Sequence, residues 1–201
     1  MEPHDLLRVT RIRPAQAPPA WVGRSLALAP WVVVRRAPAR DRLIPVGVRG
    51  VRRGQRFACH VDATSVVERL SPEQLRARSD DLPPAAPARR ALTSVEHILY
   101  AHLATAAWGP AGSVGFQLAT GLPTIRDDSD LDVVLYRDQP LPRRAARILS
   151  AAFEVLPCRI DCQLATPRGG VSLADWAGTA AEVLLKTQDG PVLTRDPWSP
   201  P

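Results

Sequence analysis

The spacing of hydrophobic positions changes repeatedly along the chain, and each change predicts an element. In the first half, Trp31-Val32-Val33-Val34 is a β-branched run that reads as a buried strand within residues 26–36. Residues 43–48 and 55–61 read as two further strands. Between them, Gly47 to Gly54 carries three glycines and three arginines, a hairpin loop or a phosphate-facing loop. Residues 64–70 read as a helix. Ser71, Pro72 and Gln74 then make a helix start, with Ser71 as cap, Pro72 at the first position and Gln74 closing a capping box. Residues 1–25, rich in proline and arginine, read as an extended arm.

The second half has a different pattern. Pro83, Pro84 and Pro87 break any regular element, so a domain boundary is expected within residues 79–87, with domains at 1–82 and 88–201. Leu92, Val95, Ile98, Leu99, Leu103 and Ala106 recur at helical spacing. A short strand at 108–111 and a short helix at 113–120, stopped by Gly121 and Pro123, come next. Then follow a strand at 131–136, an amphipathic helix at 143–156 and an alternating strand at 158–164. A hairpin at 182–194 turns at Asp189-Gly190. The whole therefore reads α+β, a small mixed sheet with helices behind a smaller, strand-rich α+β domain.

Composition removes some function classes. Hydrophobic residues at 45% and charged residues at 23% are globular values, which argue against a disordered or fibrous chain. No apolar run is long enough to span a membrane, and the early apolar stretch at 26–34 lies too far in for a secretory signal. Three cysteines, an odd number, argue against a disulfide framework and fit a cytoplasmic location. The net charge of +6 hides an asymmetry. Residues 1–90 hold 17 arginines against 8 acids, whereas residues 91–201 hold 9 cations against 12 acids. A basic half beside a half with clustered carboxylates suits a phosphorylated or acidic partner held near a metal.

Those carboxylates carry the candidate chemistry. In a strand, residues i and i+2 share a face, so Asp130 and Asp132 project together, away from Leu131, Val133 and Leu135. A divalent cation relieves their repulsion, and oxygen ligands of this kind suit Mg²⁺. Gly112-Ser113 opens a short helix 17 and 19 residues before the two acids. Such a helix start offers N–H groups and a partial positive charge to phosphate, with Ser113 adding a hydroxyl. Asp161 lies on the polar side of the next strand, opposite Cys158, Ile160, Cys162 and Leu164, and is expected as a third carboxylate. Three such groups on adjacent strands suit an in-line phosphoryl displacement.

Gly112-Ser113, Asp130-x-Asp132 and a later strand aspartate resemble the polymerase-β-like nucleotidyltransferases. The longer run from Gly112 to Pro123, followed by Ser129 to Asp132, is similar to the malonate decarboxylase holo-acyl-carrier-protein synthases, or phosphoribosyl-dephospho-CoA transferases. Ile44 to Gly50, Gly54 to Ala58, Gly190-Pro191 and Asp196-Pro-Trp198 resemble the same family, so the likeness covers most of the chain. The resemblance implies a nucleotidyltransferase-fold C-terminal domain and a basic N-terminal domain that binds substrate or partner. It implies a donor, 2′-(5″-triphosphoribosyl)-3′-dephospho-CoA, and an acceptor, a serine of the malonate decarboxylase acyl carrier protein. Diphosphate leaves. Asp130, Asp132 and Asp161 would be catalytic and bind Mg²⁺, and Gly112 and Ser113 would grip phosphate. Many superfamily members carry Ala or Arg where this chain has Gly115 and Phe116, so the triphosphate needs a cation from elsewhere. Arg126, Lys186, Arg49, Arg52, Arg53 and Arg56 are the candidates.

Two other readings stay open. One is a nucleotidyltransferase of different specificity, adenylylating a protein or small molecule or modifying the citrate lyase carrier. The other is a basic nucleic-acid-binding module, against which stands the lack of any basic motif interleaved with aromatics. His97 and His102 do not share a helix face, and Cys59 and His60 point apart, so neither pair reads as a metal site. Cys158 and Cys162, and the five tryptophans, read as packing residues.

Overall fold

Two separate β-sheets organise the chain, and its strand-forming runs account for most of both. The computed structural model describes residues 1–38, 43–52, 54–103, 106–126 and 128–199, and its contacts divide the chain into Met1–Ser71 and Pro72–Pro201. The first unit contains β1 (Leu6–Val9), α1 (Ala20–Leu28), β2 (Trp31–Val34), β3 (Leu43–Arg49), β4 (Arg56–Asp62) and β5 (Val66–Leu70). Its sheet runs β4-β3-β2-β1-β5, with every neighbouring pair antiparallel. Leu7, Val32, Val46, Val48 and Val61 are buried in one cluster, against which Trp21 and Leu26 of α1 pack.

Two expectations fail in this unit. Residues 1–25 are not an extended arm, because Leu6, Leu7 and Val9 are buried in β1, which pairs with β2 on one side and β5 on the other. Residues 64–70 are not helical. A 3-10 turn at Ala63–Ser65 leads into β5, where Val66 and Val67 favour extended backbone and Leu70 stands opposite Leu6. Asp5, fully buried beside β1, accepts a hydrogen bond of 2.7 Å from Arg69 Nε.

The second unit contains α2 (Pro72–Arg76), α3 (Pro87–Leu103), β6 (Trp108–Pro110), α4 (Gly112–Thr120), β7 (Leu131–Tyr136) and α5 (Arg143–Glu154). It continues through β8 (Ile160–Thr166), β9 (Gly169–Ser172), α6 (Leu173–Ala177), β10 (Val183–Thr187) and β11 (Gly190–Thr194). The division falls at Ser71–Pro72, ahead of the proline cluster. Leu75 and Leu82 are buried and α2 packs on β6, so the stretch from residue 72 joins the second core. β9 and α6 had no clear pattern in the sequence. Ser172 Oγ caps α6 by accepting from the Asp175 N–H at 3.4 Å.

The second sheet runs β11-β10-β9-β8-β7-β6. Its one parallel pair is β7 with β8, joined through α5, whose buried Ala146, Leu149 and Phe153 recur at helical spacing. Leu131, Val133 and Leu135 of β7 and Cys162 and Leu164 of β8 are buried on one face. The opposite face carries the candidate carboxylates. The C-terminal segment is fastened by Trp198, whose indole N–H donates to the Arg137 carbonyl at 2.8 Å and whose ring meets Trp176 edge-on at 5.1 Å. Asp196 accepts from the Trp198 N–H and the Ser199 hydroxyl, and these bonds hold its carboxyl below the usual range. Asp196-Pro-Trp198 is thus a structural fastening. No helix among the described residues is long and apolar enough to cross a membrane.

At the β6 edge the carboxylate-bearing face is covered by α2. Gly109 lies so close to it that an added Cβ would stand 1.9 Å from the Pro72 carbonyl oxygen. Backbone cannot swing aside as a side chain can. Gly109→Ala is expected to destabilise the chain by about 2 kcal/mol or more, read as a lower urea midpoint at unchanged slope.

Candidate active site

Hydrogen-bond register decides which carboxylates meet. In the parallel β7–β8 pair, Asp132 stands directly beside Asp161, as Leu131 does beside Ile160. Paired residues share a sheet face, so both carboxylates point the same way, about 4.8 Å apart at the backbone. Asp130 lies just before β7 and is half-buried like Asp132, whereas Asp161 is exposed. Asp130 and Asp132 each have further interactions of their own. Among the described residues no group of three His, Cys, Asp or Glu side chains is gathered as a metal cluster. Register therefore makes a pair, with Asp130 flanking it.

The second component is the start of α4. The chain leaves β6 at Pro110, the Ala111 N–H donates to the Asp132 carbonyl at 2.8 Å, and α4 begins at once. Gly112 has φ +56°, in the left-handed region, and an added Cβ would stand 1.7 Å from Asp132 Oδ2. Glycine is therefore required twice, by the backbone and by the carboxylate against it. The residue capping α4 is Ala111, which has no side-chain acceptor, and the first turn has no acid. The N-terminal N–H groups of α4 thus begin beside Asp132 with no side-chain cap of their own.

The loop from α4 to β7 is tied back onto the helix. Gln117 Oε1 accepts from the Thr124 and Ile125 N–H groups at 2.9 and 3.0 Å, and the Thr124 hydroxyl donates to the Ser113 carbonyl at 2.8 Å. The Ser129 hydroxyl accepts from the Arg126 N–H at 2.9 Å, closing the turn before Asp130. Gln117 and Thr124 thus fix the separation between the Gly-Ser turn and the acid pair. Nothing in the sequence singled them out, because a helix glutamine and a loop threonine carry no periodic signal.

The remaining candidates divide by location. Arg126 is exposed on this loop, four residues from Asp130. Lys186 is exposed in mid-β10, opposite Gly170 and Pro191. Register carries its row through Ala165 to Tyr136, so it lies roughly 13 Å along the strands and roughly 14 Å across the sheet from Asp132. The sheet does not bring Lys186 to the carboxylates. Arg49 and Arg56 face each other across the β3–β4 hairpin of the first unit, and the Arg52 N–H donates to Gln55 Oε1 in its turn. Arg53 lies outside the described residues. Arg159, read from the sequence on the polar face with Asp161 but not among the candidate cations, accepts at its carbonyl from the Leu131 N–H at 2.9 Å and so adjoins the acid segment.

Comparison with known proteins is decisive about family. The phosphoribosyl-dephospho-CoA transferase MdcG C-terminal domain family matches residues 74–197, and the corresponding N-terminal domain family matches residues 2–72. The chain belongs to the phosphoribosyl-dephospho-CoA transferase family. It is 45% identical over 199 residues to the phosphoribosyl-dephospho-CoA transferase of Azotobacter vinelandii, covering 98% of this chain and 94% of that one. The relative of the same name from Pseudomonas aeruginosa is 44% identical, with 98% and 93% covered. One from Pseudomonas putida is also 44% identical, with 98% and 95% covered. No solved structure matches the chain. As a member of this family the chain is a transferase enzyme, and the family's two domains meet where its two units divide.

Cys158 reports on the acid segment. Burial raises its thiol pKa, a backbone hydrogen bond with Leu131 draws it down, and the negative charge of Asp130 raises it again. Thiolate alkylation should therefore reach half-maximal rate at higher pH than for a free thiol. In Asp130→Asn the charge is lost, the thiolate is less disfavoured, and the midpoint is expected to move to lower pH. Iodoacetamide labelling of Cys158 against pH, read by peptide mass spectrometry, checks this.

Proposed function

We propose that this transferase moves the phosphoribosyl-dephospho-CoA group from 2′-(5″-triphosphoribosyl)-3′-dephospho-CoA to a serine hydroxyl of the malonate decarboxylase acyl carrier protein. One observation carries the reading. Asp132 packs on Gly112 at the start of α4 and stands in register with Asp161, so carboxylates and phosphate-facing N–H groups adjoin one another. The same residue types at the same spacing serve phosphoryl transfer in the nucleotidyltransferases that the sequence resembles.

In this reading, the N–H groups at Gly112 and Ser113, the Ser113 hydroxyl and Arg126 hold the triphosphate. The carrier serine oxygen forms a bond to the α-phosphorus while the bond from that phosphorus to the diphosphate oxygen breaks. The serine proton passes to a carboxylate, and Asp161, exposed beside Asp132, is the one open to an incoming hydroxyl. Diphosphate leaves with the electron pair of the broken bond. Holding nucleophile, phosphorus and leaving group in line supplies much of the acceleration.

The donor set fits Mg²⁺, which is ordinarily held by one or two carboxylates together with substrate phosphates. Asp132 and Asp161 would hold it, with Asp130 beside them, and it would neutralise charge on the triphosphate. The basic first unit, with 13 arginines against 5 acids in residues 1–71, is read as the surface that receives donor or carrier, and the enzyme as cytoplasmic.

The test is mass spectrometry of apo carrier protein incubated with donor, Mg²⁺ and enzyme. A mass gain equal to the prosthetic group, with diphosphate released, is expected. Asp132→Ala and Asp130→Ala should each lose transfer by about a thousandfold or more while keeping their melting temperature, and a chelator should abolish transfer reversibly. Transfer that persists in both variants removes the assignment.

A further inference from the structure

The carboxylate-bearing face of the second sheet is covered at one end and open at the other. α2 packs on β6 and α4 on β7, on the side where Gly109 meets Pro72 and Gly112 meets Asp132. In the scheme above the diphosphate is held at that covered end, by the start of α4. An in-line displacement brings the nucleophile from the side opposite the leaving group. That side is β8, where Asp161 is exposed. The acceptor hydroxyl therefore arrives across β8, and the rest of the acceptor extends over the strands beyond it.

Register shows what lies there. Ala165, four residues after Asp161 on β8, pairs with Gly170, Gly170 with Lys186 and Lys186 with Pro191, while Leu184 pairs with Leu193. Paired residues share a face and residues two apart return to it, so Leu184, Lys186 and Leu193 lie on the side of Asp161. Leu184 is 44% exposed and Leu193 67% exposed, whereas Val183 and Leu185, which point the other way, are buried. The β10–β11 hairpin thus buries one side and turns a cross-strand leucine pair to solvent, where an antiparallel hairpin ordinarily carries polar residues. A lone exposed leucine is ordinary, but an adjoining pair on the face that bears the carboxylates marks an interaction surface. Exposed Lys186 borders the pair on one side and has no ion-pair partner among the described residues. Glu182 borders it on the other, already paired with Arg195 at 3.6 Å. The patch is therefore apolar at its centre and positive at its rim.

We propose that the carrier protein docks on this face, setting an apolar patch bordered by carboxylates against Leu184, Leu193 and Lys186 while its serine stands at Asp161. The assignment rests on the carrier acceptor named above. Strand spacing puts Leu184 roughly 12 Å and Leu193 roughly 16 Å from Asp161. A domain of 100 residues has a radius of gyration of about 13 Å, so a carrier with its serine at Asp161 reaches both. Lys186, too far from the carboxylates to serve the triphosphate, then finds its opposite charge on the carrier, which gives orientation and encounter rate more than raw affinity.

The test titrates apo carrier into the full-length enzyme by calorimetry, without donor, and measures transfer against each substrate in turn. Leu184→Glu combined with Leu193→Glu is expected to weaken carrier binding and raise carrier KM by about tenfold or more, with donor KM, kcat and melting temperature held. Lys186→Glu is expected to raise carrier KM by about threefold or more and to flatten its dependence on salt. Val192→Glu, on the opposite face of β11, is expected to leave carrier KM unchanged. Should the double variant fail to fold, Leu193→Ser alone, at the more exposed position, carries the same expectation at about threefold. An unchanged carrier KM in the folded variant, a matching rise in donor KM, or an equal effect of Val192→Glu overturns the proposal. So does a dimer of the unaltered enzyme in sedimentation velocity that the double variant dissociates, because a second copy then covers the face. Carrier mass gain by the unaltered enzyme separates the two levels. If the carrier gains mass but the variants leave its KM unmoved, the docking face alone fails; if it gains none, the carrier reading fails and this one with it.

Discussion

The site depends on a hydrogen atom at Gly112 where every other amino acid carries a carbon. With φ at +56°, the backbone turns from β6 into α4 within one residue, and the space a Cβ would fill is taken by the Asp132 carboxylate. The turn and the carboxylate therefore fix each other. The Ala111 N–H, bonded to the Asp132 carbonyl, locks the same two segments through their main chains. The partial positive charge of the helix start favours an adjacent anion by about 0.3–1 kcal/mol at an exposed position, which offsets part of the cost of holding Asp132 there.

The rest of the second unit serves to keep that contact in register. Asp132 meets Asp161 only because β7 and β8 are parallel and aligned residue by residue. A slip of one residue would send one carboxylate into the apolar face with Cys162 and Leu164. The register is held from behind by those buried side chains and by α5, the crossover that a parallel pair requires. From the front it is held by the Gln117 and Thr124 bonds, which set the length of the loop between the turn and the strand. Precision at the site thus comes from one strand pair, one crossover helix and two neutral polar side chains.

How far the sequence disclosed this follows from which signals are local. Strand alternation placed Asp130 and Asp132 on β7 or at its start, and assigned Asp161 to the polar side of β8, because period two is visible in six residues. Gly121, with φ +72°, ended α4 as read. The failures are non-local. Leu6, Leu7 and Val9 form too short an apolar run to stand out among prolines and arginines, yet partners on both sides make them an inner strand. The run from Val66 to Leu70 has no decisive period, and pairing with β1 decided it. Pro83 and Pro84 separate the turn at Ser79–Asp81 from α3, which Pro87 opens, without dividing the chain, since Leu82 before them and Ala88 and Ala91 after them are buried. Lys186 was a candidate because the triphosphate needs a cation, but chemical identity does not reveal how many strands lie between two side chains.

Charge closes the argument. In the first unit Arg69 is paired with buried Asp5, Arg8 with Glu68 and Arg13 with Asp62, but with 13 arginines against 5 acids in residues 1–71 these pairs leave the excess of positive charge in place. At the carboxylates the balance runs the other way. Three aspartates and a triphosphate together carry roughly seven negative charges, against which the adjoining protein cations are Arg126 and Arg159. A helix start adds only about half a charge. Such an excess cannot be held at close range by side chains of this number, and it is the electrostatic ground on which a divalent cation is proposed.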